Sequence, residues 1–260
     1  MRVLWICNIM LPRVAKQRNP QAVPADGGWL TGLSEAMLTQ KDVELAVAFP
    51  IYGLGELEEG EALGLKYFAF TSDLKKLSQY NRRTEEQIRE IIRRFEPDVM
   101  EIFGTEYPHS LAAVRAFARP ERTCIHIQGL MTYYARHFMA NLPERVQKGF
   151  TFRDLIRWDN LKIQQKKFIK RSLFEKQAME GVHHILGRTD WDRACGGELN
   201  PNAKYHFNNE SLRDSFYENR WNFEDCEKFS IFVSQGSYPI KGFHFLLQAL
   251  PEIIRHFPDT

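Results

Sequence analysis

The chain has 260 residues, 43% of them hydrophobic, with 35 Lys and Arg against 33 Asp and Glu; that is enough apolar material for a large core, and too even a charge balance for a dedicated nucleic-acid binder. No apolar run approaches the roughly 20 residues that span a bilayer, and the opening segment runs from Cys7 straight into Asn8 and Pro12 without the small-residue cleavage site of a signal peptide. The four cysteines, Cys7, Cys124, Cys195 and Cys226, are far apart with no C-x-x-C pair, so no disulfide framework or zinc site is expected and a reducing cytoplasm is the default.

Short runs rich in Val, Ile and Phe recur at 3–7, 43–49, 65–70, 99–103, 123–127, 182–186 and 229–233. Their length and lack of charge fit parallel strands covered on both faces. Between them lie helical patterns. Leu30, Leu33, Met37 and Leu38 mark a helix over 28–40. Ile88, Ile91, Ile92 and Phe95 form one apolar stripe, with Thr84 and Gln87 as a capping box before it and Pro97 after it. Strand and helix in alternation predict an α/β fold with a doubly wound, Rossmann-like parallel sheet over 1–208. Residues 209–228 are polar and aromatic and read as a linker. A fresh strand at 229–233 and a helix carrying Phe243, Leu246, Leu247 and Leu250 follow, with Pro251 as a kink. One strand and one helix cannot bury their own faces, so 229–260 read as the start of an incomplete second domain.

The segments that can carry chemistry sit after strands. The loop from Asn8 to Gly27-Gly28-Trp29 can present bare N–H groups to an anion, although Gly-Gly is also ordinary turn chemistry. No G-x-G-x-x-G follows the first strand, which disfavours a nicotinamide dehydrogenase. Thr105, Glu106 and His109 follow the fifth run, where open α/β sheets bind ligands; the plainer reading makes Thr105 a helix cap and Glu106 a dipole partner. Gln128-Gly129, with Tyr133, Tyr134, Arg136 and His137 beyond, either lines a sugar site or packs as a loop. Arg188 stands at a strand end ahead of Thr189 or Asp190 as helix cap. His183 and His184 read as packed or edge residues. Lys241-Gly242 opens the last helix and suits a diphosphate. Between 145 and 171, nine Lys and Arg are interleaved with Phe150, Phe152, Leu155, Ile156 and Trp158; this is a solvated helix face or a segment lying on an anionic membrane.

In order and spacing, these features resemble retaining glycosyltransferases of the GT-B fold that build bacterial polysaccharides. The resemblance rests on Gly27-Gly28, Glu96-Pro97-Asp98-Val99, Gly104-Thr105-Glu106, Gln128-Gly129, Gly187-Arg188-Thr189 with Asp192-Arg193, Asn209-Glu210 and Lys241-Gly242. It implies two Rossmann-like domains facing a cleft, the first binding a saccharide or lipid-linked acceptor and the second a nucleotide-sugar, which is a substrate and not a cofactor; no metal is needed. By this resemblance Gln128 and Glu106 are the catalytic candidates. Gly27, Gly28, Arg188 and Lys241 would hold the donor, and Trp29, Thr105, His109 and Arg136 the acceptor. The sequence departs from the family at Gln128, where many relatives have His, and at Gln235, where many have Arg. By the same resemblance the family's E-x(7)-E signature lies well beyond residue 260, which implies a truncated enzyme inactive alone. The expected setting is cytoplasmic, with peripheral contact to an anionic inner membrane and no nucleic acid. The alternatives are a non-catalytic acceptor- or membrane-binding subunit of a split enzyme and a sugar-nucleotide epimerase of the same architecture.

Overall fold

The computed structural model describes residues 1–19, 28–73, 76–212 and 214–260. Gly27 lies outside the described residues, and Gly28 is placed by its backbone alone.

The apolar run at the start is β1 (Arg2–Ile6). The segment after it, read as one long loop, contains α1 (Pro12–Arg18), which Pro12 opens and whose Val14 and Ala15 are buried. Pro at the first helical position gives up an N–H that would have had no partner. Next come α2 (Gly28–Leu38), β2 (Glu44–Tyr52), β3 (Glu58–Ala62) and β4 (Leu65–Ser72). They are followed by α3 (Arg82–Phe95), β5 (Val99–Phe103), α4 (His109–Phe117) and β6 (Thr123–His126). The helices α5 (Met131–His137), α6 (Glu144–Gln147), α7 (Phe152–Arg157) and α8 (Leu161–Glu180) lead to β7 (His184–Gly187). The chain continues through α9 (Asp190–Leu199), β8 (Lys204–Phe207), α10 (Asp214–Glu218) and α11 (Phe243–His256).

The eight strands form one sheet in the order β3-β4-β2-β1-β5-β6-β7-β8. All neighbours are parallel except the β3–β4 hairpin. The parallel strands wind outward from β1 to one side and then, starting again at β5, to the other, which is a doubly wound Rossmann-like arrangement. Its crevice lies where the winding reverses, between the carboxyl ends of β1 and β5. One face buries Leu4, Ile6, Phe68, Ile102 and Ile125 under Ile88, Ile91, Leu111 and Met179 of α3, α4 and α8. The other packs Trp5, Val47, Phe49 and Phe103 against Val14 and Leu30 of α1 and α2. Full burial of side chains this size contributes about 1.5–3 kcal/mol each.

Three expectations are corrected. Thr84 and Gln87 form no capping box. Asn81 caps α3 by accepting from the Arg83 N–H at 2.9 Å. Thr84 Oγ1 instead donates to the Thr71 carbonyl at 3.1 Å, and Gln87 Oε1 accepts the Thr71 N–H at 2.8 Å. The two side chains stitch α3 to the end of β4, whose last residues pair with β2 but have outrun β3. The second correction concerns 229–233, which form no strand; Phe232 is 91% exposed. A β-ladder needs a neighbour to accept and donate its backbone hydrogen bonds, and β-forming side chains do not substitute for one. Third, β3 and β8 were not expected. β3 (EEGEA) has almost no strand-forming side chains, and its pairing is imposed by a two-residue turn in which Leu63 (φ 50°) and Gly64 (φ 80°) are both left-handed. Thr189 caps α9 as expected, in a reciprocal box with Asp192.

Candidate functional site

The crevice at the winding reversal is polar and part-buried. From the β1 end, Asn8 Nδ2 donates to Glu106 Oε2 at 2.7 Å. On its other side, Asn8 Oδ1 lies 2.8 Å from His109 Nε2. With the amide NH2 turned to the carboxylate, Oδ1 must accept, and this pairing assigns the His109 proton to Nε2. The result is a directed chain, His109 to Asn8 to Glu106. Burial is the main cause of two opposed shifts here. It raises the Glu106 carboxyl to about 7, helped by the Glu175 charge and opposed by Asn8. It lowers His109 to about 4, which keeps the imidazole neutral.

Two glycines make room for that carboxylate. Gly104 closes β5 at φ 88°, and a Cβ there would run into Glu106 Oε2 and Asn8 Nδ2. Gly129, in the loop after β6, is the second wall: a Cβ would meet Glu106 Oε1 at 3.2 Å and the Tyr134 ring at 3.1 Å. Position 104 therefore requires Gly, whereas a Cβ at Gly129 would make Glu106 and Tyr134 give way by a few tenths of an ångström.

Beneath the crevice lies Glu175 of α8, 1% exposed. Its Oε1 accepts from Thr105 Oγ1 at 2.7 Å and the Met131 N–H at 2.8 Å, and its Oε2 from the Thr132 N–H at 2.6 Å. One carboxylate thus caps α5 and pins the loop after β5. Thr105 is not a helix cap: Pro108 occupies that position in α4, with no side-chain hydrogen bond. Thr105 turns inward because the buried acceptor on α8 is available, which sequence proximity could not reveal.

Of the expected donor-side residues, Lys241 and Arg188 lie near Tyr134. Lys241 Nζ lies 5.9 Å from the centre of its ring. The charges of Glu106 and Arg188 both reach its hydroxyl, whose pKa burial raises. Arg188 is paired with Glu210 at 2.5 Å, and its backbone N–H donates to Asp192. Trp29 packs in a triangle with the Phe103 and His126 rings, at 5.3 and 6.0 Å, and its carbonyl accepts from Ser211 Oγ at 3.0 Å. His126 is buried with neither ring nitrogen partnered and is held neutral by burial, its pKa near 4. Gln128 also has an unpartnered buried Nε2.

The structure thus brings Glu106, His109, Lys241 and Arg188 around the loops after β1, β5 and β6, and places Thr105 under them. Arg136 stands apart. It lies over the Tyr133 ring on the outer side of α5, with Glu198 4.0 Å away. Sequence reasoning did not single out Asn8, Glu175 or His126. Asn8 directly after the first strand was the one readable signal.

Against known proteins, no family model matches the chain, and no curated protein matches it. Among solved structures it is similar to a sucrose-phosphate synthase from Thermosynechococcus elongatus, at 8% identity and a TM-score of 0.49 over 80% of this chain and 47% of the other. It is also similar to an E. coli trehalose-6-phosphate protein bound with UDP-2-fluoro glucose, at 11% identity and a TM-score of 0.37 over 76% of this chain and 42% of the other. The chain therefore spans a little under half the length of either.

Proposed function

We propose that this chain is the acceptor-binding part of a GT-B-type glycosyltransferase, which moves a sugar from a nucleotide-sugar to a hydroxyl of a saccharide or lipid-linked acceptor. The observation that carries the reading is the Glu106 carboxyl, boxed by Gly104 and Gly129 at the winding reversal and oriented by Asn8 and His109. A carboxyl raised to about 7 exchanges its proton near neutral pH. It accepts the acceptor hydroxyl's hydrogen bond and turns its oxygen toward the anomeric carbon. Gln128 donates from Nε2 to a sugar oxygen. Lys241 faces the negative charge that grows on the departing nucleoside diphosphate, and Arg188 joins it when the Glu210 pair opens. The Gly28 end of α2 turns the positive end of its helix dipole to the same phosphates. Trp29 supplies a wall of the sugar site. His109 and Thr105 act through Asn8 and Glu175.

A peripheral membrane contact is supported by α7. Phe152, Leu155, Ile156 and Trp158 are between 50% and 78% exposed there, beside Arg153 and Arg157. Among the described residues no helix is long and apolar enough to cross a membrane.

Calorimetric titration of the full chain with UDP-glucose and GDP-mannose tests the main reading. Saturable binding that Lys241→Ala weakens is the expected result, and acceptor-dependent transfer, assayed with a donor-binding part supplied alongside the chain, should be slowed by Glu106→Gln. Absence of binding to every nucleotide-sugar offered would remove the assignment.

A further inference from the structure

A second cavity of about 340 Å3 opens beside the crevice, between α8, α7 and the segment leading into α11. Its chemistry is unlike that of the Glu106 site. Three cations line it: Arg153 of α7, and Lys167 and Arg171 of α8. Asp159 is the one carboxylate in the lining, and it is already engaged, accepting from Lys167 Nζ at 2.7 Å and from the Gln164 amide. The walls include Tyr107, Tyr238 and Phe168.

Arg171 is held in place before any ligand arrives. Its guanidinium lies 4.4 Å from the centre of the Phe168 ring and 5.4 Å from that of Tyr107. Among the described residues its one hydrogen bond is long, 3.4 Å from Nη1 to the Glu106 carbonyl, and Nε is buried without a hydrogen-bond partner. A planar cation stacked between two rings with spare donors is suited to phosphate. Tyr238 closes the far side, 5.3 Å from Phe168, so the cavity is assembled where the C-terminal segment docks on the sheet body. Through Arg171 and Tyr107 it adjoins the loop that carries Glu106.

We infer that this basic cavity binds a phosphate group carried by the acceptor, and so fixes the acceptor with its reacting hydroxyl at Glu106. The inference rests on the acceptor role proposed above and adds the acceptor's chemical class. Such a phosphate can belong to a sugar phosphate or to a lipid carrier; α7, whose Arg153 lines the cavity, also carries the exposed Phe152, Leu155 and Ile156, against which a lipid tail would lie.

The test is direct binding to the full chain with no nucleotide-sugar present, so its failure is separate from failure of the transferase reading. The probes are inorganic phosphate, a hexose 6-phosphate and farnesyl monophosphate in detergent micelles. At least one ester should bind in competition with inorganic phosphate. Arg153→Ala and Lys167→Ala, both at exposed positions, should each weaken it by roughly ten-fold with unchanged melting. Lys148→Ala, outside the cavity, should leave it unaltered. Tighter farnesyl binding that Phe152→Ser and Trp158→Ser abolish assigns the lipid source, whereas tighter hexose binding indifferent to them assigns the soluble one; either supports the phosphate site. Failure of every ester to bind, equal binding by the cavity variants, or an equal loss in Lys148→Ala would overturn it.

Discussion

The run 65–70 (LKYFAF) and the run 229–233 (FSIFV) are alike in composition, and their fates are opposite. The first becomes β4, with β2 on one side and β3 on the other, and its Phe68 and Phe70 are fully buried. The second remains irregular, and among the described residues none after Asn200 is more than partly buried. The difference teaches that strand-forming composition is permissive, while pairing and cover are decisive. In the sheet body Asn8, Glu106 and Glu175 are tied to partners from other elements; in the C-terminal segment, docking rests on a few contacts such as His244 Nε2 on the Ala140 carbonyl at 2.8 Å.

The largest expected break of this contrast is Glu175→Ala. It strips three hydrogen bonds from buried donors, and a loss of about 3 kcal/mol or more in chemical denaturation is expected. A loss under about 1 kcal/mol would mean that water replaces the carboxylate. Gly104→Ala comes next. It forces a Cβ into the Glu106 carboxylate from a left-handed backbone, and should cost about 1–3 kcal/mol together with most of any transfer activity. Wild-type melting and kinetics in that variant would show the loop to be pliable.

A smaller effect is pH-dependent. Glu106 has a folded pKa near 7, above its ordinary value of 4.5. The folded state therefore binds a proton that the unfolded state has released, and the Glu106 contribution to stability falls as pH rises from about 4.5 to about 7. His109 has the opposite sign: its folded value near 4 lies below 6.5, so its contribution rises across that interval. The stability difference between wild type and Glu106→Gln should decline through the Glu106 window and be flat above it; a flat difference throughout would place the carboxyl in water. At the bottom of the scale, Phe232→Ser should change stability by less than about 0.5 kcal/mol. Amides of 229–235 should exchange far faster than those of β4. Slow exchange there would show that this segment is paired in solution.

Much of the body was legible because parallel strands buried on both faces declare themselves as apolar runs, and helices between them as stripes. The carboxyl ends of those runs correctly located the loops that bear Glu106, Gln128 and Arg188. What the sequence concealed depends on long-range partners. Thr105 and Glu175 are 70 residues apart, and Asn8 and Glu106 98, yet each pair shares one hydrogen bond. Local rules assigned Thr105 and Thr84 to caps because the competing acceptors on α8 and β4 come from elsewhere in the chain. The edge strands β3 and β8 escaped because an edge strand is only half covered and carries little apolar signal.

Arg171 and Glu175 lie one helical turn apart on α8, so they face the same way. The first reaches the carbonyl of Glu106, and the second ties down both the loop after β5 and the first turn of α5. A lengthwise slip of this 20-residue rod would tug both rims of the crevice together, so the helix serves as the axle on which those two loops are mounted.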